Sequence, residues 1–255
     1  MNSQLQEYWF RPNAGYVLKG DALNAPGWLR EMQCHPALVI ADPPYGGITG
    51  EEWDTENIPD WLTLLRLLTP FNCPVYWWGG IGKPGHRPLL EFLSLLELET
   101  EWRARDWITW RKKRAYGKSH DYLFVREECL LLTVGGVAPS TFHIPLSDER
   151  RGYAGYNAKY PAKSEFKRIT NVWDDTELLR GKVHPTQKAP AVVRRPIEVH
   201  TNPGELVLDL FAGSGETSLQ AHSLGRHFIA VEREEQYCSM IAGRLEEQVE
   251  SEVSV

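Results

Sequence analysis

Two continuous apolar runs, far apart in the chain, each lead directly into an unusual turn. The run 37–41 precedes Asp42-Pro43-Pro44-Tyr45, and the run 206–208 precedes the glycine-rich sequence D-L-F-A-G-S-G at 209–215. Runs of this kind are typical of strands that are buried on both faces of a parallel sheet. Because ligands bind at the carboxyl ends of such strands in open α/β sheets, we expect both turns at one ligand-binding edge.

Strand-like and helix-like segments alternate along most of the chain. This alternation predicts an α/β fold, namely a Rossmann-like, doubly wound and mostly parallel sheet with helices on both faces. At 255 residues the chain has the length of a single domain spanning 1–255. We predict strands at 16–18, 36–41, 74–78, 107–110, 129–134, 205–210 and 227–231, and helices at 22–33, 61–68, 89–98 and 191–200 and from Ser218 and Glu235.

This periodicity is lost between Gly135 and Lys182, where Gly, Pro, Tyr and basic residues predominate. Long segments without regular structure inside compact domains are usually functional or disordered. We therefore interpret 135–182 as a weakly structured insertion into the domain.

Composition excludes several classes of protein. No apolar run approaches the roughly 20 residues needed to cross a bilayer, which predicts a soluble, cytoplasmic protein without a membrane partner. The four cysteines form no C-x-x-C pair and the eight histidines show no ligand spacing, so we expect reduced thiols and no bound metal. The net charge of -6 argues against a generic polyanion binder.

The glycine-rich turn has the pattern of a nucleoside-binding site. Gly213 and Gly215 allow close approach of a ligand to the backbone, and the following helix offers free N–H groups. Glu232 ends the next strand, where a carboxylate can accept hydrogen bonds from both ribose hydroxyls. This order favours a bound nucleoside cofactor over an ordinary tight turn beside a surface glutamate. Ser218 stands where a dinucleotide motif has its third glycine, which disfavours a dinucleotide.

The Asp-Pro-Pro-Tyr turn suits a reaction at an amino group. An exocyclic amino nitrogen of a base is a poor nucleophile because its lone pair is delocalised into the ring. The Asp42 carboxylate and the Pro43 carbonyl can each accept one N–H, which leaves the lone pair free to attack. Tyr45 can stack on a base that has left its duplex. The alternative is a rigid structural turn, since two prolines restrict the backbone.

In combination, these residues resemble the beta group of amino-directed DNA methyltransferases. Asp42–Tyr45 is similar to the catalytic motif of that group and Phe211–Gly215 to its cofactor motif, and the catalytic motif comes first, as in the permuted order of the beta group. Thr170–Trp173 matches a short element of the family, and Gly20–Leu23 resembles its G-D-x-L segment. The resemblance implies S-adenosylmethionine as cofactor, a seven-stranded sheet, and double-stranded DNA with a flipped target base as partner.

The resemblance also implies residue roles. The catalytic residues would be Asp42, Pro43, Pro44 and Tyr45. His184–Lys188 looks like the H-P-T-Q-K segment that covers the methionine end of the cofactor, where Lys188 would compensate the charge of Glu216. The cofactor-binding set would be Asp21, His184, Pro185, Thr186, Gln187, Lys188, Asp209, Phe211, Ala212, Gly213, Ser214, Gly215 and Glu232.

Positive charge is concentrated in the middle third of the chain. Seven Lys and Arg stand against one Asp between Arg103 and His120, and six against one Glu between Arg150 and Arg168. Charge runs are usually solvated surface, but two of them on loops of an acidic, base-modifying protein favour phosphate contacts. We assign 135–182 to target recognition. The predicted DNA contacts are Arg111, Lys112, Lys113, Arg114, Lys118, Arg150, Arg151, Lys159, Lys163, Lys167 and Arg168.

The substrate stays open among several alternatives. The resemblance links an initial Asp in the catalytic motif more often to adenine N6 than to cytosine N4. A cytosine-N4 enzyme, an RNA target, and a non-catalytic DNA-binding or anti-restriction module that keeps the fold are the other readings. A homodimer is possible, and the family implies the cytoplasm of a bacterial or phage-infected cell.

Overall fold

The computed structural model describes residues 6–11, 14–46, 57–80, 88–116, 120, 122–150, 164–174 and 187–253. Its helices are α1 (Ala25–Glu31), α2 (Ile58–Leu68), α3 (Pro88–Glu99), α4 (Pro190–His200), α5 (Glu216–Ser223) and α6 (Glu235–Val253). Its strands are β1 (Gln6–Arg11), β2 (Gly15–Lys19), β3 (Pro36–Ala41), β4 (Val75–Gly79), β5 (Trp102–Tyr116), β6 (Phe124–Val134), β7 (Leu146–Arg150), β8 (Phe166–Arg168), β9 (Val172–Trp173), β10 (Leu206–Asp209) and β11 (His227–Glu232).

The main sheet has the order β1-β2-β11-β10-β3-β4-β6-β5-β9 within the described part of the chain. The five strands from β2 to β4 are mutually parallel, whereas β6 runs antiparallel to both β4 and β5. The predicted mostly parallel α/β sheet is therefore confirmed. The predicted number of seven strands is wrong, because β1 and β9 extend the two edges to nine. These additions were missed because β1 is largely exposed and β9 is two residues long.

Helices cover both faces of the sheet, as predicted. One apolar cluster packs α1, α2 and α3 against side chains such as Val39 and Leu208, and a second packs α4, α5 and α6 against Leu38 and Val207. Successive residues of a strand point to opposite faces, so each buried strand contributes to both clusters. This arrangement explains why the strands are continuously apolar in sequence.

The segment 135–182 contains more regular structure than expected. Its described parts hold the antiparallel hairpin of β7 and β8, and also β9, which pairs with β5. The first part is tied to α4, because the Nδ1 of His200 lies 3.0 Å from the carbonyl oxygen of Thr141 and His143 N donates to Val199 O at 2.8 Å. Residues 151–163 and 175–182 of the predicted insertion lie outside the described residues.

The four cysteines form no disulfide. All four thiols are free, and those of Cys73, Cys129 and Cys238 are buried. No described helix has the length and apolar character required to cross a bilayer. Within the described ranges, no three His, Cys, Asp or Glu side chains gather in a way that could hold a metal ion.

Candidate active site at the carboxyl edge of the sheet

The structure brings the two unusual turns together. Strands β3 and β10 are parallel neighbours with Asp209 in register with Ile40, and Leu210 N donates to Ile40 O at 3.0 Å. Because the chain leaves both strands at the same edge, the Asp-Pro-Pro-Tyr turn and the glycine-rich turn line one cleft of about 240 Å³. Two segments more than 160 residues apart in sequence thus share one cavity.

The glycine-rich turn depends on backbone conformation. Gly213 and Gly215 have φ angles of 49° and 73°, in the left-handed region. A Cβ on Gly215 would stand 2.7 Å from Ile241 Cγ2 of α6, so this residue allows the turn to pack against that helix. Gly213 lines the cleft but Gly215 does not. Gly215 thus has a packing role against α6, and its cofactor role stays a prediction.

Two carboxylates line the cleft beside the glycine-rich turn. Glu232 Oε2 accepts from Gly213 N at 2.8 Å and its Oε1 accepts from Glu234 N at 2.9 Å. Asp21 caps a short 3-10 turn and accepts from Leu23 N at 2.9 Å. Burial raises the pKa of Glu232, while its backbone hydrogen bonds oppose that effect. Each carboxylate keeps lone pairs toward the cleft, which Phe211 and Leu23 also line.

Asp209 holds the start of the glycine-rich turn. It is buried, and its Oδ1 accepts from Phe211 N at 3.2 Å. Burial raises the pKa of Asp209 to about 7, although hydrogen bonds from Thr217 and from the Phe211 backbone lower it, and the Asp42 carboxylate raises it further. Asp209 is thus a structural carboxyl group whose charge depends on pH near neutrality.

The predicted partner of Glu216 is wrong. Its buried carboxylate pairs with Arg244 of α6 at 3.1 Å and accepts from Gln187 Nε2 at 3.3 Å. Arg244 also donates to the carbonyl oxygen of Ser214. Arg244 therefore supplies the compensating charge that was assigned to Lys188. No sequence pattern indicates this pair, because Arg244 lies on α6, at the other end of the glycine-rich unit.

Lys188 instead lies against the Asp-Pro-Pro-Tyr turn. Its Nζ is 2.6 Å from Asp42 Oδ2, 3.2 Å from Glu127 Oε2 and 4.6 Å from the centre of the Trp78 ring. Its side chain is only 7% exposed. Burial lowers the pKa of Lys188, but the Asp42 and Glu127 carboxylates outweigh burial and hold that pKa above its usual value. Lys188 is therefore a cation beside the Asp42 carboxylate.

The Tyr45 hydroxyl orients the same carboxylate from its other side. It donates to Asp42 Oδ1 at 2.6 Å. Burial, together with the nearby Asp42 and Glu127 charges, raises the pKa of Tyr45 well above its usual value, so the hydroxyl stays protonated. Pro43 and Pro44 line the cleft beside it. Asp42 is held by one hydroxyl and one ammonium group.

Glu127 was missed by the sequence analysis. It lies on β6, where its Oε1 pairs with Lys112 of β5 and its Oε2 with Lys188. Burial raises the pKa of Glu127, but the two lysines outweigh burial and lower it. The available signal was an acidic pair, Glu127-Glu128, at the start of the apolar run of β6.

Those predicted basic residues that the structure describes lie on strands rather than loops. Arg111–Arg114 continue β5, where Lys112 is engaged by Glu127 and Lys113 Nζ donates to Asp174 O at 2.7 Å. The side chains of Arg111, Lys113 and Arg114 are exposed. In the β7–β8 hairpin, Lys167 pairs with Glu149 at 2.6 Å and Arg150 with Glu165 at 3.9 Å, and Arg168 is exposed. The predicted residues Lys118, Arg151, Lys159, Lys163, His184, Pro185 and Thr186 lie outside the described residues.

Comparison with known proteins decides the family. A family model described as DNA methylase, for N6 and N4 methyltransferases, matches residues 37–243. The chain belongs to this DNA methylase family. The methylase family depends on S-adenosylmethionine, as the resemblance implied. The matched range contains both turns of the cleft.

Curated relatives agree with this membership. The methylase is 27% identical over 228 residues to the type II methyltransferase M.HpaI of Haemophilus parainfluenzae, an alignment that covers 82% of this chain and 68% of that protein. It is 26% identical over 265 residues to the DNA adenine methyltransferase YhdJ of Escherichia coli (strain K12), covering 93% of this chain and 84% of YhdJ.

Solved structures show the same fold. The M1.HpyAVI–SAM complex has a TM-score of 0.62 and 22% identity, with 90% of this methylase and 99% of that chain covered. The cytosine-N4-specific PvuII DNA methyltransferase has a TM-score of 0.68 and 14% identity, with 96% and 93% covered.

Proposed function

We propose that this methylase transfers a methyl group to the exocyclic N6 of adenine in double-stranded DNA. The observation that carries the proposal is the Asp42 carboxylate, fixed by Tyr45 and Lys188, in the same cleft as Glu232 and the glycine-rich turn. A reactive carboxylate and a nucleoside-binding edge are the two parts that amino methylation requires. A DNA substrate further implies a cytoplasmic enzyme.

The residues of the cleft fit S-adenosylmethionine. When bound, this cofactor supplies an electrophilic methyl group on a sulfonium. Asp21 and Glu232 offer carboxylate oxygens to ribose hydroxyls, and Phe211 and Leu23 offer apolar contact to an adenine ring. Because Arg244 neutralises Glu216, the start of α5 does not repel the cofactor's carboxylate.

The catalytic side prepares the target nitrogen. The Asp42 carboxylate accepts one amino N–H with a lone pair that Tyr45 and Lys188 leave free, and the Pro43 carbonyl accepts the other. As the nitrogen becomes tetrahedral it gains positive charge, which the fixed Asp42 carboxylate stabilises. The proline pair keeps both acceptors in place. The ring of Tyr45 lines the same cleft and can stack on the flipped base.

Exposed cations on β5 and on the β7–β8 hairpin support a DNA partner. Arg111, Lys113 and Arg114 continue β5 from the edge that holds the catalytic turn, and Arg168 lies on the β7–β8 hairpin. Lysine and arginine at such positions bind phosphates and fix the register of a protein on DNA. We assign target recognition to 135–182, which contains that hairpin.

The choice of adenine rests on the initial Asp of the catalytic motif and on YhdJ, whose name specifies adenine. Nucleoside mass spectrometry after incubation of duplex DNA with the protein and S-adenosylmethionine tests this choice. We expect N6-methyladenine. Detection of N4-methylcytosine instead would show that the target base is cytosine and that the reaction class is correct. Methylation of RNA alone would show that the substrate is not DNA.

An Asp42→Ala variant tests the catalytic role of this carboxylate. We expect it to bind S-adenosylmethionine as the wild-type protein does, because Asp42 lies on the other side of the cleft from Glu232. Methyl transfer from tritiated cofactor should be lost. Undiminished transfer would contradict the catalytic role of Asp42.

A further inference from the structure

A second carboxylate stands behind the catalytic one. Lys188 Nζ lies between Asp42 Oδ2, at 2.6 Å, and Glu127 Oε2, at 3.2 Å. The other oxygen of Glu127 pairs with Lys112 of β5. Lys112, Glu127, Lys188 and Asp42 thus form a chain of alternating charges, which we call the charge array. Its formal charges sum to zero.

The charge array is shielded from water. The side chains of Lys188 and Glu127 are 7% and 18% exposed, and that of Asp42 is 21% exposed. Charges in such surroundings interact more strongly than on an open surface, because less water screens them. Removal of one partner from a buried ion pair leaves an uncompensated charge. Each member therefore influences the others.

Glu127 is joined to the catalytic turn through its ion pair with Lys188. Asp42 and Lys188 line the cleft, whereas Glu127 is not among the residues that line it. We propose that Glu127 is a positioning residue for methyl transfer, which holds Lys188 in place beside Asp42 and keeps the charge array neutral. This inference rests on the proposed function and adds to it a residue that the shared motifs do not contain.

The neutrality of the array matters for the chemistry. The target nitrogen gains positive charge during transfer, and a neutral array with its carboxylate nearest the nitrogen accommodates that charge. Without the charge of Glu127 the array carries one net positive charge, which opposes the transition state. Lys188 is then also released to move closer over Asp42 and to occupy the lone pair that the target amine requires. Both effects raise the barrier to transfer.

The cofactor side should not respond. Glu232 is held by the backbone N–H groups of Gly213 and Glu234, and Asp21 by that of Leu23. None of these contacts involves the charge array. Loss of Glu127 should therefore lower kcat and leave cofactor binding intact, whereas a general loss of structure would affect both.

Strand alternation supplies a matched control. Glu127 and Glu128 are adjacent on β6, so their side chains point to opposite faces of the sheet. Glu128 is also buried and also paired, with Arg126 at 3.1 Å, and it accepts from Trp107 Nε1 at 2.7 Å. Glu128→Gln therefore removes an equivalent charge from the same strand without touching Lys188.

The first measurement compares Glu127→Gln with Glu128→Gln. We expect kcat for DNA methylation to fall by about 10- to 100-fold in Glu127→Gln, with the Kd for S-adenosylmethionine within about 2-fold of wild type. We expect Glu128→Gln to retain the wild-type kcat. An unchanged kcat in Glu127→Gln, or an equal loss in both variants, would overturn the proposal.

The pH profile is a second readout. The groups that face Lys188 are Asp42 and Tyr45 from the catalytic turn, Glu127 and Cys129 from β6, and Lys112 through Glu127. Loss of the Glu127 charge removes one of the two carboxylates that favour the ammonium form. We expect the decline of kcat at alkaline pH to begin about one pH unit lower in Glu127→Gln than in wild type. Glu127→Asp keeps the charge and should keep this alkaline decline near its wild-type pH. If Glu127→Gln does not fold, the pH profile of Glu127→Asp tests the proposal instead.

A double-mutant cycle tests the route through Lys188. Lys188→Met removes the cation, so the double variant Glu127→Gln/Lys188→Met should have the kcat of Lys188→Met alone within about 3-fold. Losses that multiply would show that Glu127 acts independently of Lys188 and would overturn the proposal.

The same variants separate this inference from the proposed function. Absence of methyl transfer to any nucleic acid by the wild-type protein would contradict the proposed function. The coupling is then decided by NMR titration of isotopically labelled lysine. A lower pKa of Lys188 in Glu127→Gln than in wild type supports the coupling, and an unchanged pKa overturns it.

Discussion

On the cofactor side of the cleft the carboxylate of Glu232 is held by two backbone N–H groups, whereas on the catalytic side Asp42 is held by the side chains of Lys188 and Tyr45. The cofactor side is thus built by local chain geometry from one strand–turn–helix–strand unit. The catalytic side is assembled from β3, β6 and the segment before α4. We therefore expect substitutions of distant residues to leave the cofactor side of the cleft intact and to disturb the catalytic side.

Replacing each of the two carboxylates by its amide gives the largest expected difference in kcat and cofactor affinity. Asp42→Asn removes the charge that stabilises the target nitrogen, so we expect kcat to fall between about 100- and 1000-fold with the Kd for S-adenosylmethionine unchanged. Glu232→Gln should instead raise that Kd by about 10-fold, since one oxygen becomes an amide donor. Steady-state kinetics with isothermal titration calorimetry measures both. Equal effects of the two variants on Kd would contradict the division of the cleft.

The glycine-rich turn offers the next effect. Gly215→Val forces a β-branched residue into a left-handed conformation and into contact with Ile241. We expect the free energy of unfolding to fall by about 2–4 kcal/mol, measured by chemical denaturation. Gly204→Val is the control, because Gly204 also has a positive φ but open space around it. A smaller loss in Gly215→Val than in Gly204→Val would contradict the packing role.

Asp209 links the cofactor side to pH. Its pKa is raised to about 7 in the folded protein, above the usual value of 3.8, so the folded state binds more protons between these two values. Its contribution to stability is therefore largest at low pH and declines as the pH rises through about 7. Asp209→Asn removes this decline. The change in the free energy of unfolding from pH 5 to pH 8 should therefore be more favourable in Asp209→Asn than in wild type, by on the order of 2 kcal/mol.

Thermal melting across this pH range measures the effect of Asp209→Asn. Glu31→Gln, which changes an exposed carboxylate, is the control. The same pH slope in Asp209→Asn and wild type would show that the carboxyl group of Asp209 does not titrate near neutrality.

The smallest expected effect concerns the basic half of β5. Arg114→Ala removes one exposed cation of β5, so DNA binding should weaken by about 3- to 10-fold and lose about one unit of salt dependence. Arg66→Ala, on α2 and paired with Glu99, is the control. Fluorescence anisotropy at several salt concentrations distinguishes them. An equal effect of both substitutions would remove Arg114 from the DNA contacts.

Most strands and helices of the sheet follow from apolar patterning, because a strand buried on both faces must be apolar throughout. Strand β5 was predicted to be short, because its basic half lacks that pattern. In the structure, pairing with β6 sustains the longer strand. Strand β1 was missed for the same lack of an apolar pattern, and β9 was missed because it is only two residues long. The hairpin of β7 and β8 is formed mostly by exposed residues, which carry no burial signal.

The sequence by itself determined the α/β class, the edge where ligands bind, and the identity of the residues in both turns, because these depend on local patterns within single strands and turns. Only the tertiary structure decided that Arg244 neutralises Glu216, that Lys188 pairs with Asp42, and that Glu127 stands behind it. Ion pairs join side chains from distant strands and helices, and their partners are set by how those elements pack. A charged residue in sequence shows its sign, whereas its partner is fixed only in three dimensions.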